Sequence, residues 1–140
     1  MTTDLSVGRA AFLLLAIALL PVATTVAAPL RYETTAAAAG RATLEIQADA
    51  LVTMTPLPFR LLISDPSGQP LRGARVDCEL VMPSMRMPEN RPQVTERDGA
   101  YVGEMILTCV MGDYRAACVV EDAGGTRRTL TFDLGRARLR

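Results

Sequence analysis

Sulfur-bearing side chains are concentrated in one short stretch of the sequence. Residues 82–88 read Met-Pro-Ser-Met-Arg-Met-Pro, in a chain that holds seven methionines and no histidine. Thioether sulfur is a soft ligand that suits Cu(I), whereas a site without histidine holds Cu(II) poorly. A kinked loop would turn the sulfurs of Met82, Met85 and Met87 toward one point, and Met111 would complete the shell. One interpretation of the pattern is therefore a Cu(I) site.

The same residues fit a second interpretation, in which they serve packing alone. Met is flexible and fills irregular gaps in apolar cores. In this interpretation Met82 and Met85 close one end of the fold, and Met105 lies inside it. Pro83 and Pro88 disfavour a regular helix or a central strand. Both interpretations therefore predict a rigid loop at this position.

The sequence offers little for catalysis or for nucleic-acid binding. Histidine, on which triads and most general-base schemes depend, is absent, and a Cys nucleophile would need an activating partner. Glu121 and Asp122 adjoin a glycine turn and fit an ordinary turn surface. Fifteen arginines balance fifteen acidic residues, which gives no basic surface for nucleic acid. We expect no catalytic residues and no nucleic-acid partner.

The N-terminus carries an apolar segment of the kind that directs export. Arg9 precedes an uncharged run, residues 10–30, which Pro21 interrupts. Residues 25–27, Thr-Val-Ala, fit the cleavage motif of a signal peptide. The run is also long enough to span a bilayer as an uncleaved helix. We assign residues 1–28 to a signal peptide or membrane anchor; both place the rest of the chain outside the cytoplasm, released or held at the inner membrane.

Three cysteines lie in the exported part of the chain. An oxidising compartment favours one disulfide and one free thiol. Cys109 and Cys118 would bridge a hairpin, whereas Cys78 and Cys118 would join different strands through the core. A third interpretation makes all three small buried hydrophobic residues. Cys109 also lies close to Met111 and is an alternative sulfur ligand.

Short apolar and alternating segments predict strands throughout the rest of the chain. The predicted strands cover residues 43–48, 59–64, 73–81, 100–108, 114–120 and 128–134. Turn sequences separate them at residues 65–68, 111–113 and 122–125. We expect residues 114–120 to form a hairpin with the strand before them. Within 73–81, Val76, Cys78 and Leu80 face one side and Arg75, Asp77 and Glu79 the other.

Strands at this spacing, without amphipathic helices, predict an antiparallel β-sandwich or a small barrel. We assign residues 29–41 to a linker, 42–135 to the β-domain and 136–140 to a basic tail. Tyr101 and Tyr114 are the expected aromatic anchors. Tyr114 is either an aromatic wall beside a binding site or a core residue with a solvated hydroxyl.

Three short motifs occur in one order along the chain: Met-Pro-Ser-Met-Arg-Met at 82–87, Gly-Ala-Tyr at 99–101, and Val-Met-Gly-Asp-Tyr-Arg at 110–115. On these motifs, the segment from about 43 to 134 resembles the YtkA-like domain family, which includes FixH-like proteins. Tyr114 stands where such domains commonly have Trp, and the cysteines are not part of the family pattern. The resemblance implies an all-β, immunoglobulin-like antiparallel β-sandwich, here preceded by an N-terminal hydrophobic signal or anchor helix.

The resemblance also implies a role in copper traffic, because FixH-like members accompany copper delivery to respiratory oxidases. We expect a non-catalytic, extracytoplasmic binding or accessory domain. The alternative is a periplasmic Cu(I) chaperone or copper-delivery accessory protein that uses Met82, Met85, Met87 and Met111. Expected partners are the membrane, through residues 10–30, and a protein of a membrane or copper-delivery assembly.

Overall fold

The computed structural model describes residues 23–25, 27–34 and 41–140. Most of the predicted signal or anchor segment lies outside these residues, as do residues 35–40 of the predicted linker. Within the described part of the chain, no helix has the length and apolar character needed to cross a membrane.

The described residues form eight β-strands and no helix, which confirms the all-β prediction. The strands are β1 (Leu30–Glu33), β2 (Ala42–Ile46), β3 (Leu57–Ile63), β4 (Arg75–Val81), β5 (Val94–Arg97), β6 (Ala100–Met105), β7 (Asp113–Glu121) and β8 (Arg127–Arg136). They build two antiparallel sheets, one in the order β1-β2-β3-β6-β5 and the other in the order β4-β7-β8.

Both sheets bury one face in a single hydrophobic core, as in a β-sandwich. Along β3 and β7 buried residues alternate with more exposed ones, because successive side chains of a strand point to opposite faces. The largest fully buried side chains come from both sheets and from the segment between β6 and β7, and they include Tyr101, Tyr114, Phe59, Phe132, Leu44, Ile46, Leu61, Leu80, Leu107 and Leu130. The alternation predicted for residues 73–81 is confirmed, since Cys78 and Leu80 are buried while Asp77 is exposed.

A disulfide joins Cys78 to Cys118. The two residues lie directly opposite each other in the pairing of β4 with β7, with their Cα atoms 4.0 Å apart. Both are buried, so the bridge lies on the core side of the smaller sheet. Cys109 is free and half-buried. Of the pairings considered from the sequence, the one between different strands is therefore present.

The hairpin predicted between residues 100–108 and 114–120 is wrong. β6 pairs with β3 and β5 in the larger sheet, whereas β7 pairs with β4 and β8 in the smaller one. Residues 106–112 therefore cross from one sheet to the other. Leu107 is fully buried within this crossing, so the segment spans the end of the core instead of forming a tight turn.

The polar stretch before residue 99 contains a strand that the sequence analysis did not predict. β5 pairs with β6, and Asp98 and Gly99 form the two-residue connection between them. Both residues have positive φ, 52° and 77°, which is the conformation of the tight hairpin turns that Asp-Gly favours. One half-buried and three exposed side chains explain why β5 shows no apolar alternation.

Strand pairing also extends into the two flanking segments. β1 lies inside the predicted linker and pairs with β2, and Arg31 holds the buried Glu45 carboxylate with an N–O distance of 2.6 Å. In the predicted basic tail, the Arg138 N–H donates to the Leu51 carbonyl, and the Thr53 N–H donates to the Arg138 carbonyl. The tail therefore packs along residues 51–53.

Candidate functional site

Antiparallel pairing gathers several loops at one end of the sandwich. Ile46 pairs with Phe59 near the start of β3, and Leu57 pairs with Met105 at the end of β6. In the other sheet, Val81 at the end of β4 pairs with Arg115 near the start of β7. The loops 47–56, 82–93 and 106–112 therefore emerge together with residues 137–140. We call these four segments the methionine end.

Hydrogen bonds connect the segments of the methionine end to one another. The Met54 N–H donates to the Leu107 carbonyl at 2.8 Å. The Asn90 side chain donates to the Ile106 carbonyl at 2.9 Å. The backbone of loop 106–112 is therefore hydrogen-bonded to both loop 47–56 and loop 82–93, and these three loops form one connected surface.

The four predicted ligands occupy three different environments. Met82 is 2% exposed and belongs to the core, and Met87 is half-buried against the same core. Met85 and Met111 are exposed, by 42% and 74%. The structure therefore offers Met85 and Met111 to a ligand, part of Met87, and almost nothing of Met82.

The two loops that carry these residues are in direct contact. A Cβ on Gly112 would lie 2.7 Å from Ser84 Oγ and 3.7 Å from Met82 Sδ. A Cβ at residue 112 would therefore require the Ser84 hydroxyl to move. An open groove forms beside this contact, and its lining includes Pro83, Ser84, Met111 and Tyr114. The buried Met82 therefore lies beneath the contact between Ser84 and Gly112, and the exposed Met111 lines the groove beside it.

Tyr114 fixes the backbone of loop 106–112. Its ring is 1% exposed, and its hydroxyl accepts hydrogen bonds from the N–H groups of Thr108 (3.1 Å) and Cys109 (3.0 Å). The Met111 N–H in turn lies 3.4 Å from Cys109 Sγ. Tyr114 is therefore a core residue, as one of its two predicted alternatives has it, but its hydroxyl bonds to backbone N–H groups, whereas that alternative expected a solvated hydroxyl.

Tyr101 performs the corresponding task at the opposite end. It is 1% exposed; its hydroxyl donates to the Leu71 carbonyl at 2.8 Å and accepts from the Ala74 N–H at 3.1 Å. Burial raises the pKa of the Tyr101 phenol above its ordinary value. Both expected anchors are thus core residues that hold a loop.

Arg91 connects loop 82–93 to acidic side chains of the smaller sheet. Arg91, in loop 82–93, lies across the outer face of β4 and forms ion pairs with Glu89, Asp77 and Glu79. The hydrogen bond with Glu89, followed by the charge of Glu79, raises the pKa of the Arg91 guanidinium. Within residues 23–25, 27–34 and 41–140, no three His, Cys, Asp or Glu side chains gather into a metal-binding group.

One exposed sulfur at this end was missed by the sequence analysis. Met54 is 63% exposed, adopts a positive φ of 55°, and lies in loop 47–56 beside Leu107. It is far from residues 82–88 in the sequence, so local spacing gave no signal. Successive antiparallel strands run in opposite directions, so the loops that follow every second strand lie at the same end of the sandwich. Counting strands in this way places loop 47–56, with Met54, beside loop 82–93.

Comparison with known proteins gave no match. The sequence matches no protein-family model, and neither the curated proteins nor the solved structures contain a match to it.

Proposed function

We propose that this chain is a non-catalytic binding or accessory domain of the YtkA-like type that works outside the cytoplasm. The observation that carries the proposal is the Cys78–Cys118 disulfide in the core. Disulfides persist in oxidising compartments and are rare in the cytosol. The uncharged run at residues 10–30 provides a means of export, either as a cleaved signal or as an anchor.

The strand order supports an immunoglobulin-like form of the sandwich. Lettered A to G, strands β2 to β8 give sheets with the orders A-B-E-D and C-F-G, which is the constant-type arrangement with β1 added at one edge. Tyr114 at the start of strand F bonds back to residues 108 and 109, as in a tyrosine corner. The disulfide differs from the antibody pattern, since it joins strands C and F within one sheet.

The environment of the ionisable groups supports a non-catalytic role. Arg115 pairs with Asp133, and Arg127 pairs with Glu121, on the solvent faces of β7 and β8. In the described part of the chain, no buried side-chain nitrogen or oxygen lacks a hydrogen-bond partner. These groups are engaged with one another in structural pairs, and Arg115 and Asp133 do so while also lining the open groove at the methionine end.

Export and oxidation are tested together in a bacterial host. The full chain is expressed, thiols are trapped with an alkylating agent before lysis, and the protein is analysed by mass spectrometry. We expect one alkylated cysteine, Cys109, and a mature N-terminus near Ala28 or an intact chain in the membrane fraction. A chain in the cytosolic fraction with Cys78 and Cys118 also alkylated would contradict the proposal.

Cu(I) binding is the second candidate function, and the exposed sulfurs of Met85 and Met111 on contacting loops favour it. The half-buried Met87 and Cys109 lie at the same end. A Cu(I) site here would differ from the one predicted from the sequence, because Met82 is enclosed in the core.

Retention of Cu(I) against a competing chelator tests this function. Replacing Met85, Met87 and Met111 by Leu conserves volume, so the fold is expected to survive. We expect this triple variant to lose Cu(I), whereas a control with Met82→Leu and Met105→Leu, both buried, keeps it. Equal retention by the two variants would assign the methionines to packing.

A further inference from the structure

The large apolar side chains exposed on the described residues are all found at the methionine end. They are Met54, Met85, Ile106, Met111 and Leu139, with exposed fractions from 42% to 74%. Single exposed apolar residues scattered over a surface need no explanation, but a contiguous group marks an interaction site. These five come from four segments that the strand pairing and the hydrogen bonds bring to one end.

The opposite end of the sandwich has a different character. Its described loops contain polar turns, in which Asp65 bonds to the N–H groups of Ser67 and Gln69, and Asp122 bonds to those of Gly124 and Thr126. No large apolar side chain of these loops is exposed. The two ends of the sandwich therefore differ: one exposes large apolar side chains, and the described loops of the other do not.

The chain also enters the fold at the methionine end. Leu30, the first residue of β1, pairs with Ile46, the last residue of β2, which leads directly into loop 47–56. The sequence before β1 is uncharged from residue 10 to residue 30. An apolar segment long enough to reach across a bilayer is thus attached beside the apolar end and not beside the polar one.

Unpaired positive charge accompanies the apolar group. Arg86 and Arg138 are exposed at this end and form no ion pair within the described residues. Of the acidic side chains at this end, Glu89 is paired with Arg91, and the exposed Asp49 has no ion pair within the described residues. Arginine binds phosphate oxygens in a bidentate manner, and basic residues next to a membrane attract anionic lipids.

We propose that the methionine end docks on the surface of a bilayer that contains anionic phospholipid. The apolar side chains enter the boundary between headgroups and acyl chains, and Arg86 and Arg138 contact the lipid phosphates. Met and Leu at the tips of loops suit this position, because they bury apolar area while the backbone of the loops stays paired within the protein. The proposal is independent of copper binding.

Tryptophan fluorescence tests the orientation, because the native chain has no Trp. The full chain is reconstituted into phosphatidylcholine–phosphatidylglycerol vesicles as Met111→Trp or Leu139→Trp. The matched control is Ala123→Trp, in the turn between β7 and β8 at the opposite end. For Met111→Trp and Leu139→Trp we expect a blue shift of the emission and a loss of emission with brominated lipids. For the Ala123→Trp control we expect neither effect.

The remaining outcomes decide against the proposal. Equal emission and quenching at both ends, or stronger quenching at Ala123→Trp, would show that the methionine end does not face lipid and is free for a protein partner. A chain that does not float with the vesicles would overturn it as well. The role of anionic lipid is tested by adding Arg86→Gln and Arg138→Gln to the Met111→Trp variant. We expect these changes to reduce quenching in the mixed vesicles and to leave it unchanged in pure phosphatidylcholine. An equal reduction in both kinds of vesicle would show that the two arginines do not recognise anionic lipid.

Discussion

The ring of Phe59 lies against Gly103, its cross-strand partner in the pairing of β3 with β6. Phe59 Cζ is 2.8 Å from the point that a Cβ on Gly103 would occupy, and the Gln93 carbonyl oxygen is closer still. Phe59 is 1% exposed. A glycine at position 103 therefore allows the aromatic ring and the start of β5 to close over the same point of the sheet.

Replacing Gly103 by Ala is expected to destabilise the fold by about 1–3 kcal/mol, because a backbone carbonyl and a buried ring must both move. Guanidinium unfolding measures the loss. Gly112→Ala is the matched control, since the nearest atom there is the Ser84 hydroxyl, which can rotate away. A loss for Gly103→Ala no larger than that for Gly112→Ala would contradict the packing described for Phe59.

The disulfide closes a segment of the chain with a sequence separation of 40. Loop-closure entropy for that length predicts a contribution of about 4 kcal/mol to the free energy of unfolding. We therefore expect the double variant Cys78→Ala, Cys118→Ala to unfold at a clearly lower denaturant concentration. Cys109→Ala, which removes the free thiol, should lie near the wild type. Similar midpoints for the two variants would show that the bridge contributes little.

Tyr114→Phe removes the acceptor of two backbone N–H groups without emptying the core. A typical hydrogen bond contributes about 0.5–1.5 kcal/mol, and these two are partly buried, so we expect a loss of about 1 kcal/mol and faster hydrogen exchange at Thr108 and Cys109. Tyr101→Phe provides the reciprocal control, because it should accelerate exchange at Ala74 instead. Unchanged exchange at residues 108 and 109 in Tyr114→Phe would contradict the role given to its hydroxyl.

Alkaline pH should weaken the fold through Tyr101. Burial raises the pKa of its phenol in the folded state above the ordinary value of about 10. The neutral phenol is thus favoured by folding, so stability is fully present below about pH 10 and is lost as pH rises through the folded pKa. We expect Tyr101→Phe to show a shallower alkaline decline of the free energy of unfolding than its parent.

This comparison is made in a Cys109→Ser background, because a thiolate at high pH would attack the disulfide. Tyr32 remains in both proteins and responds in the same direction, since burial also raises its pKa. The difference between the two curves therefore reports Tyr101. Parallel curves up to pH 11, well above the ordinary pKa of about 10, would show that the phenolate is tolerated in the fold.

Alternation predicted the strands well wherever one face of a strand is buried. Residues 73–81 and 114–120 were found because the burial of Cys78, Leu80 and Cys118 imposes a period of two on the sequence. The same pattern does not specify which strand lies beside which, so it does not distinguish the crossing at residues 106–112 from a hairpin. β5 was missed because an edge strand with exposed side chains has no such period, although Asp98-Gly99 was a usable turn signal.

The candidate site was predicted in part, for a related reason. Proximity in the sequence grouped Met82 with Met85, but the turn that begins at Met82 directs one side chain into the core and leaves the other in solvent. Met54 lies at the same end as Met85 and Met111 because β2 pairs with β3 and β3 pairs with β6. Long-range register, and not local composition, decides which sulfurs share a surface.

Loop 82–93 has a further effect on the strand that precedes it. β4 is an edge strand, and the Leu80 N–H donates to the Asn90 carbonyl at 2.8 Å while Arg91 spans Asp77 and Glu79. Free edges are templates on which further chains add and amyloid grows. The loop that presents the methionines occupies part of this edge, and so it leaves fewer backbone groups there on which another chain could add a strand.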